Sequence, residues 1–156
     1  MPDKFFKKRN TPSAENPIVE SGERYFKRTT EINPDYEGTH YNLGVTRLLQ
    51  KDIVGALDAF LEALAKHPGH IPSLYNVGNI HYQFKQYYNS VRYYNEVLSL
   101  DPKHEQAAYN LALCYENVKD WARAKVSWEK YLQLHTGSSF REKAEEHLRK
   151  IKDYLT

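Results

Sequence analysis

The sequence is short of the residues that staple, span or catalyse. Its single cysteine, Cys114, cannot close an internal disulfide, and its place among Leu111, Tyr115 and Val118 suits a buried, inert thiol rather than a nucleophile. No run of about 18 or more apolar residues occurs and the first residues lack an apolar signal core, so neither a membrane span nor export is expected, and a cytoplasmic location is. Charge of one sign is missing too. The 22 basic residues face 20 acidic ones, which gives no broad field for nucleic acid or a membrane surface. There is no Gly-rich phosphate loop, Gly-x-Ser-x-Gly elbow or His-Glu-x-x-His helix. The histidines include His67, His70 and His104, with no cysteine or carboxylate pair to complete a metal set; they read as solvated turn residues. No catalysis, metal or cofactor is expected.

What is present is a period. The stretch Leu74-Tyr75-Asn76-Val77-Gly78-Asn79-Ile80-His81-Tyr82, with Ser90-Val91-Arg92-Tyr93-Tyr94 and Leu100-Asp101-Pro102, returns 34 residues earlier as His40-Tyr41-Asn42-Leu43-Gly44, Ala56-Leu57-Asp58-Ala59-Phe60 and Lys66-His67-Pro68. It returns 34 residues later as Ala108-Tyr109-Asn110-Leu111-Ala112, Ala124-Lys125-Val126-Ser127-Trp128 and Leu134-His135-Thr136. Self-similarity at a fixed period of this length marks stacked helix-turn-helix units, each too small to bury its apolar face alone.

The pattern resembles the tetratricopeptide repeat family. Leu43-Gly44, Val77-Gly78 and Leu111-Ala112 stand on the first helices; Ala56 with Phe60, Ser90 with Tyr94 and Ala124 with Trp128 stand on the second; Pro68 and Pro102 close two units. The departures are His40, Leu74 and Ala108 in place of Trp, Arg47 and His81 in place of an aromatic, and Thr136 in place of Pro. The resemblance implies an all-α, right-handed superhelical solenoid of stacked antiparallel helix pairs. Units are expected at 37–70, 71–104 and 105–138, with helices near 37–50, 53–66, 71–84, 87–100, 105–118 and 121–134. Gly44, Gly78 and Ala112 let the two helices of a unit cross, with Ala56, Ser90 and Ala124 opposite, while Phe60, Tyr94 and Trp128 fill the space between units.

The ends differ. Residues 1–18 read as an extended arm carrying Lys4-Phe5-Phe6-Lys7-Lys8-Arg9, broken by Pro12 and Pro17. It reads as a solvated tail or as a docking arm that uses Phe5 and Phe6; a third reading, contact with nucleic acid or acidic lipid through Lys4, Lys7, Lys8 and Arg9, would be weak without a wider basic face. Residues 19–36 read as a half-repeat, with Phe26 and Pro34 one period before Phe60 and Pro68. After Gly137, Ser139 and Glu142 read as a capping box that opens a C-terminal capping helix over 139–156. Phe140, Ala144, Leu148, Ile151 and Leu155 make its apolar stripe.

In the family that the chain resembles, first helices line the concave face. The implied rows are Tyr41, Asn42, Val45, Leu48 and Leu49; Tyr75, Asn76, Asn79, Tyr82 and Gln83; and Tyr109, Asn110, Leu113, Glu116 and Asn117. Asn42, Asn76 and Asn110 form a ladder of carboxamides, able to pair with an extended main chain or to tie neighbouring helices together. Family members that hold the acidic tails of heat-shock chaperones use a two-carboxylate clamp; the matching positions are Tyr41, Val45, Asn76, Gln106 and Asn110, of which only Asn76 agrees. The clamp is not expected, and a partner segment with apolar anchors is. The resemblance thus implies a non-catalytic adaptor that binds a partner peptide or helix in the concave groove. The alternative is an assembly protein that self-associates into a homo-oligomer through its arm and incomplete first repeat.

Overall fold

The computed structural model describes residues 38–155, together with Gly22, Arg24, Tyr25, Arg28, Thr29, Glu31 and Ile32 of the preceding segment, which are all helical. The proposed arm, Phe5, Phe6, Phe26 and Pro34 lie outside the described residues. Seven helices follow: α1 (Thr39–Leu49), α2 (Ile53–Lys66), α3 (Ile71–Gln83), α4 (Tyr87–Leu100), α5 (Glu105–Asn117), α6 (Trp121–Leu134) and α7 (Arg141–Tyr154). Among the described residues there is no strand. Each helix packs chiefly on the ones before and after it in sequence. That is the architecture of an α-solenoid, in which burial is a nearest-neighbour property.

Local chemistry sets the helix ends. Asp52 Oδ1 accepts from the Gly55 amide (2.9 Å) and Asp120 Oδ1 from the Arg123 amide (3.1 Å), satisfying amides that the first turns of α2 and α6 leave unpaired. Lys51, Lys85 and Lys119 have φ of 64°, 58° and 58° and recur at the turn between the helices of each unit. Each left-handed residue closes the preceding helix with paired bonds; Lys85 N donates to the Tyr82 carbonyl and Gln86 N to the His81 carbonyl, both at 2.9 Å. This is a Schellman motif built on lysine where glycine is the strain-free choice.

Phe60, Tyr94 and Trp128 are fully buried, and truncating such a ring costs about 3–5 kcal/mol. The two small glycines serve them directly. A Cβ on Gly44 would meet Phe60 Cε1 at 2.6 Å and one on Gly78 would meet Tyr94 Cε1 at 2.7 Å. These rings therefore sit over the glycine of their own unit, besides reaching the next. Cys114 is buried with no exposed surface, and burial pushes its thiol up to about 12.

At the C-terminal end, Ala144 and Ile151 of α7 are buried against Trp128 and Tyr131 of α6, with Leu148 half-buried beside them. Phe140 and Leu155, assigned to the same stripe, are exposed, because both lie outside the helix that sets the stripe's register. The Ser139–Glu142 capping box is not formed. Phe140 occupies the N-cap position without a side-chain bond, and Ser138 instead accepts from the Phe140 amide at 3.0 Å. The opposite face carries the ion pairs Arg141–Glu145 and Lys150–Glu146.

Candidate functional site

The predicted rows stand on the first helices α1, α3 and α5, and they divide into packed and open positions. Tyr41, Tyr75 and Tyr109 are all wedges. The Tyr41 ring packs on Phe60 (centroids 5.7 Å apart) and His70 (5.1 Å). Tyr75 repeats this with Tyr94 (6.0 Å) and His104 (5.0 Å). Tyr109 meets Trp128 at 4.8 Å and Phe140 at 5.6 Å, and burial raises its phenol. Each ring thus touches the second helix of its own unit and the start of the next.

His70 and His104 are not solvated turn residues, whereas His67 is. His104 Nδ1 accepts the Ala107 amide (3.2 Å) and His70 Nδ1 accepts the Ser73 amide (3.3 Å), so each caps a first helix while its ring packs edge-on or tilted against a tyrosine. Of the three, only His67 is exposed.

The carboxamide ladder splits in the same way. Asn110 Nδ2 donates to Asn79 Oδ1 at 3.2 Å and lies 3.4 and 3.5 Å from the Tyr75 and Tyr94 hydroxyls; the buried Tyr94 hydroxyl donates to Asn79 Oδ1 at 2.7 Å. Burial holds that phenol far above its ordinary value. Asn79 and Asn110 therefore tie α3, α4 and α5 together. One junction earlier, Val45 stands for Asn79 and Phe60 for Tyr94, two acceptors are lost, and Asn76 donates to its own Pro72 carbonyl at 2.8 Å. One junction later, Leu113, Trp128 and Ala144 occupy the three places. There Glu116 accepts from the Trp128 indole and from His147 Nδ1 at 3.0 Å, with the imidazole stacked on the indole. Glu116 is thus a tie as well. Asn42 is half-buried, and its backbone carbonyl accepts from Thr46 Oγ1.

Val45, Leu48 and Leu113 pack on the core. Tyr82 is half-buried; its hydroxyl accepts from Asn117 Nδ2 at 3.3 Å and burial raises it. Leu49, Gln83 and Asn117 form the exposed outer row.

Where this face opens, it forms a cleft of about 400 Å³ lined by Tyr75, Glu105, Gln106, Tyr109, Asn110, Tyr131, Ser139 and Phe140. Tyr75, Tyr109 and Asn110 were expected there. Glu105 was not, because nothing in its local sequence distinguishes it from a helix-start carboxylate. Its Oε1 accepts from the Tyr131 hydroxyl at 2.8 Å and from Ser138 Oγ. These two bonds, Ser138's first, hold the carboxyl below its ordinary value, so the cleft carries a fixed negative charge at neutral pH. Among the described residues, no group of three or more His, Cys, Asp or Glu side chains is placed to hold a metal ion, and no helix is long and apolar enough to cross a membrane.

Stacked helix pairs with a 34-residue period define the class of protein, and comparison with known proteins gives the family. Models of the tetratricopeptide repeat match residues 71–104 and 106–138. Solved structures with the same fold include a tetratricopeptide repeat protein from Parabacteroides merdae (22% identity, TM-score 0.78, covering 88% of this chain and 55% of that one). YrrB, a TPR protein with an unusual peptide-binding site, aligns at 15% identity and TM-score 0.77 over 89% of this chain and 70% of its own. MamA from Desulfovibrio magneticus aligns at 20% identity and TM-score 0.69 over 86% and 84%. The chain is a tetratricopeptide repeat protein. It is also 30% identical over 109 residues to the protein O-mannosyl-transferase Tmtc3 of Drosophila melanogaster, of whose length it spans 11%.

Proposed function

We propose that this chain is a non-catalytic adaptor that holds a peptide segment or helix of a partner protein against the face of α1, α3 and α5. The observation that carries it is the cleft, in which tyrosine and phenylalanine rings converge with the Gln106 amide and the Glu105 carboxylate. A concave site with apolar walls and a few fixed polar groups is the usual form of a recognition site. Against the rigid rings a ligand loses little freedom that the protein has not already given up. The open outer row Leu49, Gln83 and Asn117 lies further along the same helices, and it would continue contact beyond the cleft.

The test is selection of 12-residue peptides from a random display library against the whole chain, followed by calorimetric titration of the winners. The exposed cleft residues Gln106 and Phe140 are then changed together, Gln106→Lys with Phe140→Ser. Loss of affinity by roughly 10-fold or more is expected for an anchor region of this kind; unchanged affinity places the binding surface elsewhere. Self-association is the second reading, and Tyr25 and Ile32, 65% and 74% exposed, favour it. Light scattering of the full chain and of one starting at Val19 decides it, since a mass of two chains that falls on truncation makes the first partner a second copy.

A further inference from the structure

We propose that the cleft selects a cationic side chain, lysine or arginine, of the bound segment, with Glu105 as its counter-charge and the rings of Tyr75, Tyr109 and Phe140 as its walls; the proposal rests on the groove reading above. Three observations converge on it. Both protein bonds to Glu105 fall on Oε1, and among the described residues nothing is bonded to Oε2, which is left for a ligand. A carboxylate whose first oxygen is already held by two hydroxyls is fixed in orientation, so a guanidinium or ammonium meets it without ordering a flexible side chain.

The walls suit the same ligand. Tyr75, Tyr109 and Phe140 all line the cleft, and aromatic faces attract cations while accepting the methylene stem of lysine or arginine. The protein itself shows the Phe140 face doing this: Lys143 Nζ lies 5.5 Å from its ring centroid. Lys143 is exposed and reaches the ring from α7, and an incoming cation would displace it.

Charge complementarity also decides against the opposite ligand. The position that would supply clamp chemistry for an acidic tail holds Gln106, and its neighbour Glu105 reverses the sign. Basic side chains beside the cleft include His135, whose ring lies tilted against Tyr131 at 5.0 Å, and Lys143, over Phe140. Neither bonds Glu105 among the described residues. An acidic side chain entering here would meet a fixed like charge in a half-enclosed site.

The experiment is a nuclear magnetic resonance titration of the full chain with five peptides, Ac-Ala-Ala-X-Ala-Ala-NH2, in which X is arginine, lysine, citrulline, norleucine or glutamate. Arginine and lysine are expected to shift the resonances of Tyr75, Tyr109 and Phe140 at concentrations about 10-fold below those needed for citrulline and norleucine, the sum of a partly exposed charge pair and a cation–π contact. Glu105→Gln keeps an oxygen for Tyr131 and Ser138 and should abolish that preference, whereas Glu146→Gln, a carboxylate on the far side of α7, should leave it. Phe140→Ala, at a residue 46% exposed and so tolerant of truncation, should reduce it. Lys143→Gln should strengthen binding by removing the internal competitor.

Equal shifts from charged and neutral peptides would overturn the cation preference and leave the groove reading standing. Shifts confined to resonances outside the α1, α3 and α5 face, or none from any peptide, would overturn both. Preference for glutamate would reverse the assignment of the site's sign.

Discussion

The chain carries three chemical versions of one junction, and exchanging the first two tests what the amides do. The perturbation is Tyr94→Phe, Asn79→Val and the pair together, which rewrites the α3–α4–α5 junction in the residues that already stand at α1–α2–α3, namely Phe60 and Val45. Tyr94 has no exposed surface, and its hydroxyl donates to Asn79 at 2.7 Å. Removing that hydroxyl alone leaves Asn79 with the Asn110 donor at 3.2 Å and costs about 1–2 kcal/mol for one good buried bond. Asn79→Val alone is worse. It strands the Tyr94 proton inside the stack, for about 1–3 kcal/mol. Independent effects would add to about 2–5 kcal/mol. Replacing both partners by apolar groups of similar shape strands nothing, because Asn110 can turn to its own helix as Asn76 does toward Pro72. The double variant is therefore expected within ~1 kcal/mol of the parent, a coupling of at least ~1 kcal/mol. Urea denaturation followed at 222 nm, with unchanged slope, reads the three free energies, and hydrogen exchange of α4 and α5 places the loss. A double variant that costs the sum of the singles refutes the exchange and assigns Asn79 or Tyr94 a further role.

Two other perturbations report on features away from the groove. Lys51→Gly, Lys85→Gly and Lys119→Gly should each stabilise by ~0.5 kcal/mol, since relief of a left-handed φ is worth about 1–2 kcal/mol and the added chain entropy of glycine takes back about 0.5–1. Combined, they should raise Tm by roughly 3–6 °C, and a lowered Tm would mean that the lysine side chains hold the turns. Cys114, whose folded thiol sits near 12, stabilises fully below the unfolded thiol value of about 8.5 and loses that contribution as pH rises from there toward the folded value. Cys114→Ala should therefore flatten the fall in urea midpoint between about pH 8 and 9, before the unfolded phenols titrate around pH 10; parallel curves would contradict it.

The period was legible because packing imposes it. Gly44 and Gly78 are where rings of the second helices come within reach of the backbone, so small residues and aromatics must recur together, and helices placed on that register fall within two residues of those observed. What escaped depends on partners far along the chain or on atypical chemistry. Asn110 looks identical to Asn76 in sequence, and only the residues it meets at Asn79 and Tyr94 make it a tie. His70 and His104 cap helices although the usual caps are Ser, Thr, Asp and Asn. Lysine at a left-handed turn leaves no trace in propensity, which favours glycine there. Glu105 became a site residue only when Tyr131 and Ser138, 26 and 33 residues away, were brought to it.

The wedged tyrosines have a consequence for how such a chain can change. The rings of Tyr41, Tyr75 and Tyr109, which the proposed groove would turn toward a ligand, are also the shims that fix the gap between one unit and the next. Altering them to suit a new partner would alter the pitch of the whole stack, so this row is closed to gradual retuning. Leu49 and Gln83, exposed at the far end of the same helices, are free of that constraint, and Asn117 beside them is held to the next unit by its amide bond to Tyr82. Divergence among relatives that keep this spacing should concentrate there, with the rings held constant as the ruler and the outer row varied as the lettering.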